Sequence, residues 1–280
     1  MFPYNKQRRA LITGGNQGIG YATALELCTR GYHVTIACRN MERAEKAVMS
    51  IKNKVNESII DYIIVDLCSL SSVVQCAEKL IAEESTFDII ILNAGVLLPE
   101  KNRTEDGFDT TFQVNYLSQF LLVTMLLDNG VSPNGVTIVT LTSILSRSCC
   151  YLTGVRRNYN HWREMFSPIN EKKSGWTSYA RSKLAITMLA CHLNRIKGVR
   201  AVSVDPGAVN TSMTETIAPR DEAAEAVVIA ANEKQPINTY RNGRKYSKLW
   251  SFVLSAQNGI ELEKLSRKML ENAFEKGRNL

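Results

Sequence analysis

A glycine-rich turn near the start of the chain stands between a short apolar run and a helical pattern. Residues 10–12 are typical of a strand, residues 18–30 of a helix, and the turn between them contains Gly14, Gly18 and Gly20. Glycine permits positive φ and close backbone approach, and the free amides at a helix start attract anions. The pattern therefore favours a phosphate-binding strand–turn–helix unit over an ordinary glycine turn, although its spacing differs from the common Gly-x-Gly-x-x-Gly fingerprint.

Apolar strand patterns alternate with helical patterns along the rest of the chain. Such alternation favours an α/β fold with one Rossmann-type, doubly wound parallel sheet and helices on both faces, as a single domain over residues 1–280. Strands are predicted near residues 9–13, 32–37, 58–65, 87–92, 135–142 and 199–204, with a short seventh near 244–247. Helices are predicted near residues 18–30, 41–53, 69–84, 105–127, 177–196, 221–233 and 260–276.

Tyr179 and Lys183 are separated by the spacing that places two side chains on one helix face. A nearby cation favours the ionised form of a phenol, so we expect Lys183 to lower the pKa of Tyr179. The pair is a candidate general acid or base with a group that tunes it. An exposed Tyr and Lys on an amphipathic helix is the alternative.

Seven landmarks occur in an order that resembles the short-chain dehydrogenase/reductase family. They are Thr-Gly-x-x-x-Gly-x-Gly at residues 13–20, Asp66, Asn93-Ala94-Gly95, Asn115, Ser143, the Tyr179/Lys183 pair and Asp205-Pro206-Gly207. Residues 37–40, 104–108 and 114–117 are most similar to the retinol dehydrogenase-like branch. The resemblance fades after about Met213, which leaves residues 212–280 as a variable C-terminal region.

The resemblance implies an oxidoreductase that interconverts a carbonyl and an alcohol by direct hydride transfer with NADP. Tyr179 would donate the proton, while Lys183 would lower its pKa and bind the nicotinamide ribose. Ser143 would polarise the carbonyl, and Asn115 would hold a water that relays protons to Lys183. For Asn115, a structural hydrogen-bond node is an equal alternative.

The resemblance also implies the cofactor contacts. They are expected at Gly14, Asn16, Gln17, Gly18, Ile19, Gly20, Arg39, Asp66, Leu67, Asn93, Ala94, Gly95, Tyr179, Lys183, Pro206, Gly207, Val209 and Thr211. Arg39 follows the second strand where an acid would select NAD, so it favours NADP. Many relatives carry a second basic residue in the glycine turn, but this chain has Asn16 and Gln17. Asp66 also has a second interpretation, as a cap of the following helix.

Two other functions are alternatives to this oxidoreductase. A catalytically silent NADP-binding regulator would be suggested by loss of a residue from the tetrad Asn115, Ser143, Tyr179 and Lys183, but all four are present. A nucleotide-sugar epimerase shares the Tyr/Lys pair but has a different glycine spacing and a longer chain. The three histidines have no Ser or Cys partner at a useful position, so neither a hydrolase triad nor a zinc site is expected.

We expect an intracellular, cytoplasmic enzyme without a signal peptide or a membrane span. The seven cysteines show no metal or disulfide spacing, so they are interpreted as thiols. The net charge is +7, and an excess of five positive charges lies in residues 241–280, among regularly spaced apolar positions. That pattern favours a packed surface helix; contact with a membrane surface is the alternative, and nucleic acid is not expected. Homodimer formation is left open.

The segment between Ser143 and Tyr179 is longer than in many relatives. Aromatic and arginine residues are interleaved through residues 146–178, a composition that can cover an apolar pocket and keep a wet outer face. We expect this insertion to close over the substrate end of the site and to favour a bulky apolar carbonyl or alcohol, such as a retinoid, a steroid or a xenobiotic. A decorative surface loop is the alternative.

Overall fold

A computed structural model of the chain describes residues 7–132, 135–147, 175–207, 220–233, 239–243 and 245–278. The strands are β1 Arg9–Thr13, β2 His33–Cys38, β3 Ile60–Ile64, β4 Ile89–Leu92, β5 Val136–Leu141, β6 Val199–Asp205, β7 Thr239–Asn242 and β8 Lys245–Lys248. The helices are α1 Gly18–Thr29, α2 Met41–Lys54, α3 Leu70–Ala82, α4 Thr110–Phe112, a π-helical turn Gln113–Leu117, α5 Ser118–Asp128, α6 Gly175–Leu193, α7 Arg220–Asn232, α8 Ser251–Leu254 and α9 Ala256–Arg278.

The eight strands form one sheet in the order β3-β2-β1-β4-β5-β6-β7-β8. Strands β1 to β7 are parallel, which confirms the predicted doubly wound α/β class. The order reverses between β1 and β4, and ligands of such sheets bind beyond the carboxyl ends of the strands at that point. We refer to the space above the ends of β1 and β4 as the crevice.

Two apolar cores cover the two faces of this sheet. In β1, Leu11 packs with α3, α5 and α6, whereas its neighbours Ala10 and Ile12 pack with α1, α2 and α7. Successive strand residues point to opposite faces, so the continuous apolar runs are explained by burial on both sides. The site is therefore built on a rigid, doubly covered sheet.

The far edge of the sheet differs from the prediction. The predicted seventh strand is β8, but it is antiparallel and pairs with β7, a strand that the sequence reading missed. The four residues of β7, Thr-Tyr-Arg-Asn, lack a long apolar run, and only two of them pair with β6. Gly243, with φ +53°, lies in the turn between the two strands.

The helix predicted at residues 105–127 starts later than expected. Residues 105–109 are not helical, and α4 begins after Asp109, whose side chain accepts a hydrogen bond from the Phe112 amide at 2.7 Å. Gly107, with φ +85°, lies in the preceding turn. The other predicted helices begin and end within four residues of their predicted bounds, whereas the short helix α8 was not predicted.

The C-terminal helix α9 packs on the face formed by α5 and α6. Tyr116 and Ser266 share a hydrogen bond of 2.7 Å, and His192 of α6 pairs with Glu263 at 2.9 Å. Among the described residues no helix is both long and apolar enough to cross a membrane. The five described cysteines are free thiols, whereas Cys149 and Cys150 lie outside the described residues.

Candidate active site

The turn between β1 and α1 leaves backbone amides available to an anion. Gly14 and Gly18 adopt φ of +68° and +58°, and the Gly14 amide donates to the Ala37 carbonyl of β2 at 2.7 Å. Gln17 occupies the N-cap of α1 without a side-chain capping bond, and the first turn of α1 contains no acid. No acidic side chain in the first turn of α1 therefore neutralises the positive end of the helix, which faces the crevice.

Close contacts leave no room for a side chain at Gly15 or Gly20 in this turn. A Cβ built on Gly20 would lie 2.3 Å from the Gly14 carbonyl oxygen and 2.5 Å from Asn93 Nδ2. A Cβ on Gly15 would lie 2.4 Å from Ile36 Cγ2. The turn is thus a bare backbone cradle, with Asn16, Gln17 and Ile19 partly or fully exposed along it.

Thr13 joins the cradle to the end of β4, a role that the sequence reading missed. Its hydroxyl accepts from the amides of Asn93 and Ala94, both at 3.0 Å, and donates to Gln119 Oε1 at 2.9 Å. Gln119 in turn donates to the Ala94 carbonyl at 2.7 Å, and Asn93 Nδ2 donates to the Thr13 carbonyl at 2.8 Å. This network fixes both walls of the crevice, and the Thr that precedes Gly14 in the motif was its only sequence signal.

Asp66 and Leu67 follow β3 at the adenosine end predicted for the crevice. Asp66 Oδ1 accepts from the Cys68 amide at 2.9 Å, so the carboxylate closes the turn that precedes α3. The N-cap of α3 is Ser69, which shows that Asp66 supports the turn and does not cap the helix itself. Leu67 is buried, and its carbonyl accepts from Ser118 Oγ at 2.7 Å.

Arg39 is the first exposed side chain after β2. Cys38 before it is buried, which leaves the guanidinium as the polar group at the end of this strand. Burial and the charge of Asp66 raise the pKa of the Cys68 thiol, while the charge of Arg39 lowers it. The guanidinium therefore lies near the Asp66–Cys68 turn.

Ser143, Tyr179 and Lys183 meet at the end of β5. The side chain of Ser143 lies close enough to the Tyr179 phenol to lower its pKa by hydrogen bonding. Lys183 Nζ lies 5.5 Å from the centre of the Tyr179 ring and donates to the Leu141 carbonyl at 2.8 Å. Helix α6 thus presents both of its predicted residues to the same strand end.

The pKa values of this pair differ from the expectation. Burial, followed by the charge of Asp205, raises the pKa of Tyr179 to about 12, while the hydrogen bond with Ser143 lowers it. Burial lowers the pKa of Lys183 to about 8. Lys183 is therefore not among the groups that shift the Tyr179 pKa, and burial, which penalises the charged form of each group, sets the direction of both shifts.

Asn115 lies in the π-helical turn and is buried. Its Oδ1 accepts from the Val96 amide at 2.7 Å, and its Nδ2 donates to the Val96 carbonyl and to Ser182 Oγ, both at 3.0 Å. A Cβ built on Gly95 would lie 3.2 Å from Asn115 Oδ1 and 3.6 Å from Lys183 Nζ. Asn115 is thus a structural node beside Lys183, as its second interpretation anticipated.

The segment after β6 is described only in part. Pro206 and Gly207 follow Asp205 at the carboxyl end of the sheet, and Gly207 has φ +77°. The expected cofactor contacts at Val209 and Thr211 lie outside the described residues. Residues 148–174, which make up most of the predicted insertion, also lie outside them.

Comparisons with known proteins agree with this geometry. The model of the family described as short chain dehydrogenase matches residues 8–153. Polyprenol dehydrogenase of Homo sapiens is 33% identical over 222 residues, which cover 76% of this chain and 64% of that protein. Retinol dehydrogenase 13 of Homo sapiens is 34% identical over 210 residues, which cover 74% of this chain and 60% of that protein. The chain thus spans a little under two thirds of the length of these relatives.

A solved structure extends the likeness to nearly the whole chain. An uncharacterised protein from Mycobacterium paratuberculosis superimposes with a TM-score of 0.73 at 26% sequence identity, and the match covers 95% of this chain and 94% of that one. The strand order and both helical layers therefore belong to an architecture that recurs in nature.

Proposed function

The chain belongs to the short-chain dehydrogenase/reductase family, and from that premise we propose that it is an NADP(H)-dependent oxidoreductase that interconverts a carbonyl and an alcohol on a bulky apolar substrate. The observation that carries the proposal is that the side chain of Ser143 and the ammonium of Lys183 both lie beside the Tyr179 phenol. These groups lie at the same sheet edge as the glycine cradle. An acid and a hydrogen-bond donor for a carbonyl oxygen thus stand next to a backbone site for phosphates.

Each side chain has a chemical task in this proposal. Tyr179 donates a proton to the carbonyl oxygen during reduction and accepts it during oxidation. Ser143 donates a hydrogen bond to the same oxygen, and Asn115 holds Val96 and the loop after β4 in position. Lys183 supports the phenol and binds the ribose hydroxyls. A bound nicotinamide would supply or accept the hydride.

The cradle fits a dinucleotide. Its bare backbone at Gly14 and Gly20 and the uncapped start of α1 suit a diphosphate, which needs close approach of amides. Asp66 and Leu67 would border the adenine, and Asn93, Ala94 and Gly95 would line the ribose side. Pro206 and Gly207 would border the nicotinamide end.

Arg39 supports NADP over NAD. An acid after β2 would accept bonds from a ribose 2′-hydroxyl and would repel a 2′-phosphate. The chain has an exposed guanidinium there, and its charge acts on the Asp66–Cys68 turn. A guanidinium stays charged and can bind phosphate with two donors.

We expect Arg39→Asp to weaken NADPH binding at least about tenfold, because bonds to a charged group contribute about 1.5–3 kcal/mol. NADH binding should be unchanged or stronger, since an acid suits the free 2′-hydroxyl. Fluorescence titration of the purified proteins with each cofactor measures both dissociation constants.

Lys52→Asp is the matched control, because it makes the same charge change on an exposed residue in the last turn of α2. It should leave both dissociation constants unchanged. Equal NADPH affinity in wild-type and Arg39→Asp protein would remove Arg39 from the cofactor site.

Exposed apolar side chains near Tyr179 support a bulky apolar substrate. Leu98, Ile144 and Trp176 are 55%, 58% and 47% exposed. Ile144 follows Ser143 directly, Trp176 lies three residues before Tyr179 on α6, and a Cβ built on Gly175 would lie 2.3 Å from Leu98 Cδ2. This rim suits an apolar body larger than the reacting carbonyl, consistent with the polyprenol and retinol in the names of two relatives.

The function is tested with NADPH and a panel of carbonyl compounds matched in chemistry and graded in size. Wild-type protein should oxidise NADPH faster with bulky apolar aldehydes or ketones than with small ones. Tyr179→Phe protein should oxidise NADPH much more slowly with every compound. Equal rates for wild-type and variant protein across the panel would contradict the proposed chemistry. A preference for small polar carbonyls would contradict the substrate class alone.

A further inference from the structure

The last residue of β6 is a buried carboxylate. Asp205 is only 4% exposed, and its Oδ1 accepts from the Gly207 amide at 3.0 Å. Burial raises the pKa of this carboxylate, while hydrogen bonding with the backbone of Gly207 and Ile144 and the charge of Lys183 lower it. Because Ile144 follows Ser143, Asp205 joins the loop after β5 to the loop after β6.

The same carboxylate lies beside Lys183. Leu141 of β5 is in register with Val204 of β6, and Lys183 Nζ donates to the Leu141 carbonyl at 2.8 Å. Neighbouring strands are about 4.8 Å apart, so the ammonium lies one strand away from the residue at which β6 ends. The charge of Asp205 opposes the lowering of the Lys183 pKa by burial.

Asp205 also acts on the phenol. After burial, its charge is the second cause that raises the pKa of Tyr179. The carboxylate therefore favours the proton-bearing form of both Lys183 and Tyr179, because a negative charge stabilises an ammonium and destabilises a phenolate.

On β5 and β7, the described strands on either side of β6, no charged side chain faces Asp205. On β5 the nearest residues, Leu141, Thr142 and Ser143, carry no charge. On β7, Arg241 is in register with Val204, and Asn242 is in register with Asp205. Since strand side chains alternate between faces, Arg241 lies on the side of Val204, away from the carboxylate. Of the described side chains, Lys183 supplies the charge that acts on Asp205.

We propose that Asp205 is a positioning residue that holds Tyr179 and Lys183 in their protonated forms and sets the site for proton donation to a carbonyl. This inference rests on the proposed function for its catalytic meaning. In this chain the residue therefore shifts the pH at which the site changes from favouring reduction to favouring oxidation.

The sign of the effect is fixed by the charge. Reduction needs the phenol and is lost as pH rises through the pKa of Tyr179, whereas oxidation needs the phenolate and appears above that pKa. Removing the carboxylate charge lowers the pKa of Tyr179. The loss of reduction and the onset of oxidation therefore both move to lower pH. A nearby charge typically moves a pKa by about 1–3 units.

The test is an NMR titration of the cofactor-free protein with tyrosine isotopically labelled at the ring carbon that carries the oxygen. The Tyr179 resonance is assigned by its absence in Tyr179→Phe protein. In wild-type protein the resonance should begin to titrate only at strongly alkaline pH. In Asp205→Asn protein, which keeps an acceptor oxygen, the onset and the midpoint of the titration should lie at least about one pH unit lower.

Asp128→Asn, which removes a charge from an exposed site on α5, should leave the titration of Tyr179 unchanged. If Asp205→Asn protein does not fold, Asp205→Ser keeps a hydroxyl acceptor for the Gly207 amide and serves the same purpose. An unchanged Tyr179 midpoint in the folded variant would overturn the proposal. A shifted midpoint in a protein that turns over no carbonyl would leave the charge coupling intact and would contradict the proposed function instead.

Discussion

Tyr179→Phe protein should bind NADPH as wild type does and turn over carbonyl substrates about 10²–10⁴-fold more slowly, the usual contribution of a general acid. The ring would remain between Lys183 and Ser143, but the oxygen that carries the transferable proton would be gone. Steady-state kcat and the NADPH dissociation constant, measured on the same preparation, separate the two effects. The dissociation constant shows whether the cofactor site is intact, and kcat shows the effect of losing the proton donor.

Tyr62→Phe is the matched control for this substitution. The Tyr62 hydroxyl donates to Glu45 Oε1 at 3.0 Å, on the exposed side of β3 away from the crevice. Its loss should change neither kcat nor NADPH affinity. If Tyr179→Phe protein kept activity within about tenfold of wild type, the proton donor would have to be another group.

Much of the fold could be predicted because its signals are local. Six strands of the sheet are short apolar runs separated by helical patterns, and each lies within a few residues of its predicted position. Strand β7 could not be found in this way, because Thr239–Asn242 has no long apolar run and pairs with β6 through two residues only. Its strand character depends on β6 and β8, which a local pattern cannot show.

The site also combines features that local motifs predict with features that depend on distant residues. The glycine turn, Ser143, Tyr179 and Lys183 could be identified from motif and spacing, and the structure brings the last three together. The Thr13–Gln119 hydrogen bond joins residues 106 positions apart, and no local pattern predicts it. The pKa of Tyr179 was predicted with the wrong sign because spacing shows the nearby Lys183 but shows neither the depth of burial nor the approach of Asp205.

The glycine cradle provides the second large effect. Gly20→Ala should lower the free energy of unfolding by about 1–3 kcal/mol, the usual cost of inserting a methyl group into close-packed structure. It should also weaken NADPH binding at least about tenfold, since each 1.4 kcal/mol changes affinity tenfold. The new Cβ would meet a backbone oxygen at 2.3 Å, so the Gly14 carbonyl and the phosphate-facing amides near it must move. Urea denaturation and cofactor titration measure the two quantities.

Gly277→Ala separates this contact from the general effect of alanine in a helix. Gly277 lies in α9, and a Cβ built on it meets no atom within 4 Å. Alanine is favoured over glycine in helices by up to about 1 kcal/mol, so Gly277→Ala should be neutral or slightly stabilising, with NADPH affinity unchanged. Because the same intrinsic preference acts at Gly20, a loss there must come from the contact with Gly14 and Asn93. A Gly20→Ala protein with wild-type stability and wild-type NADPH affinity would contradict this prediction. It would show that the turn accommodates a methyl group and that its close packing is not needed for cofactor binding.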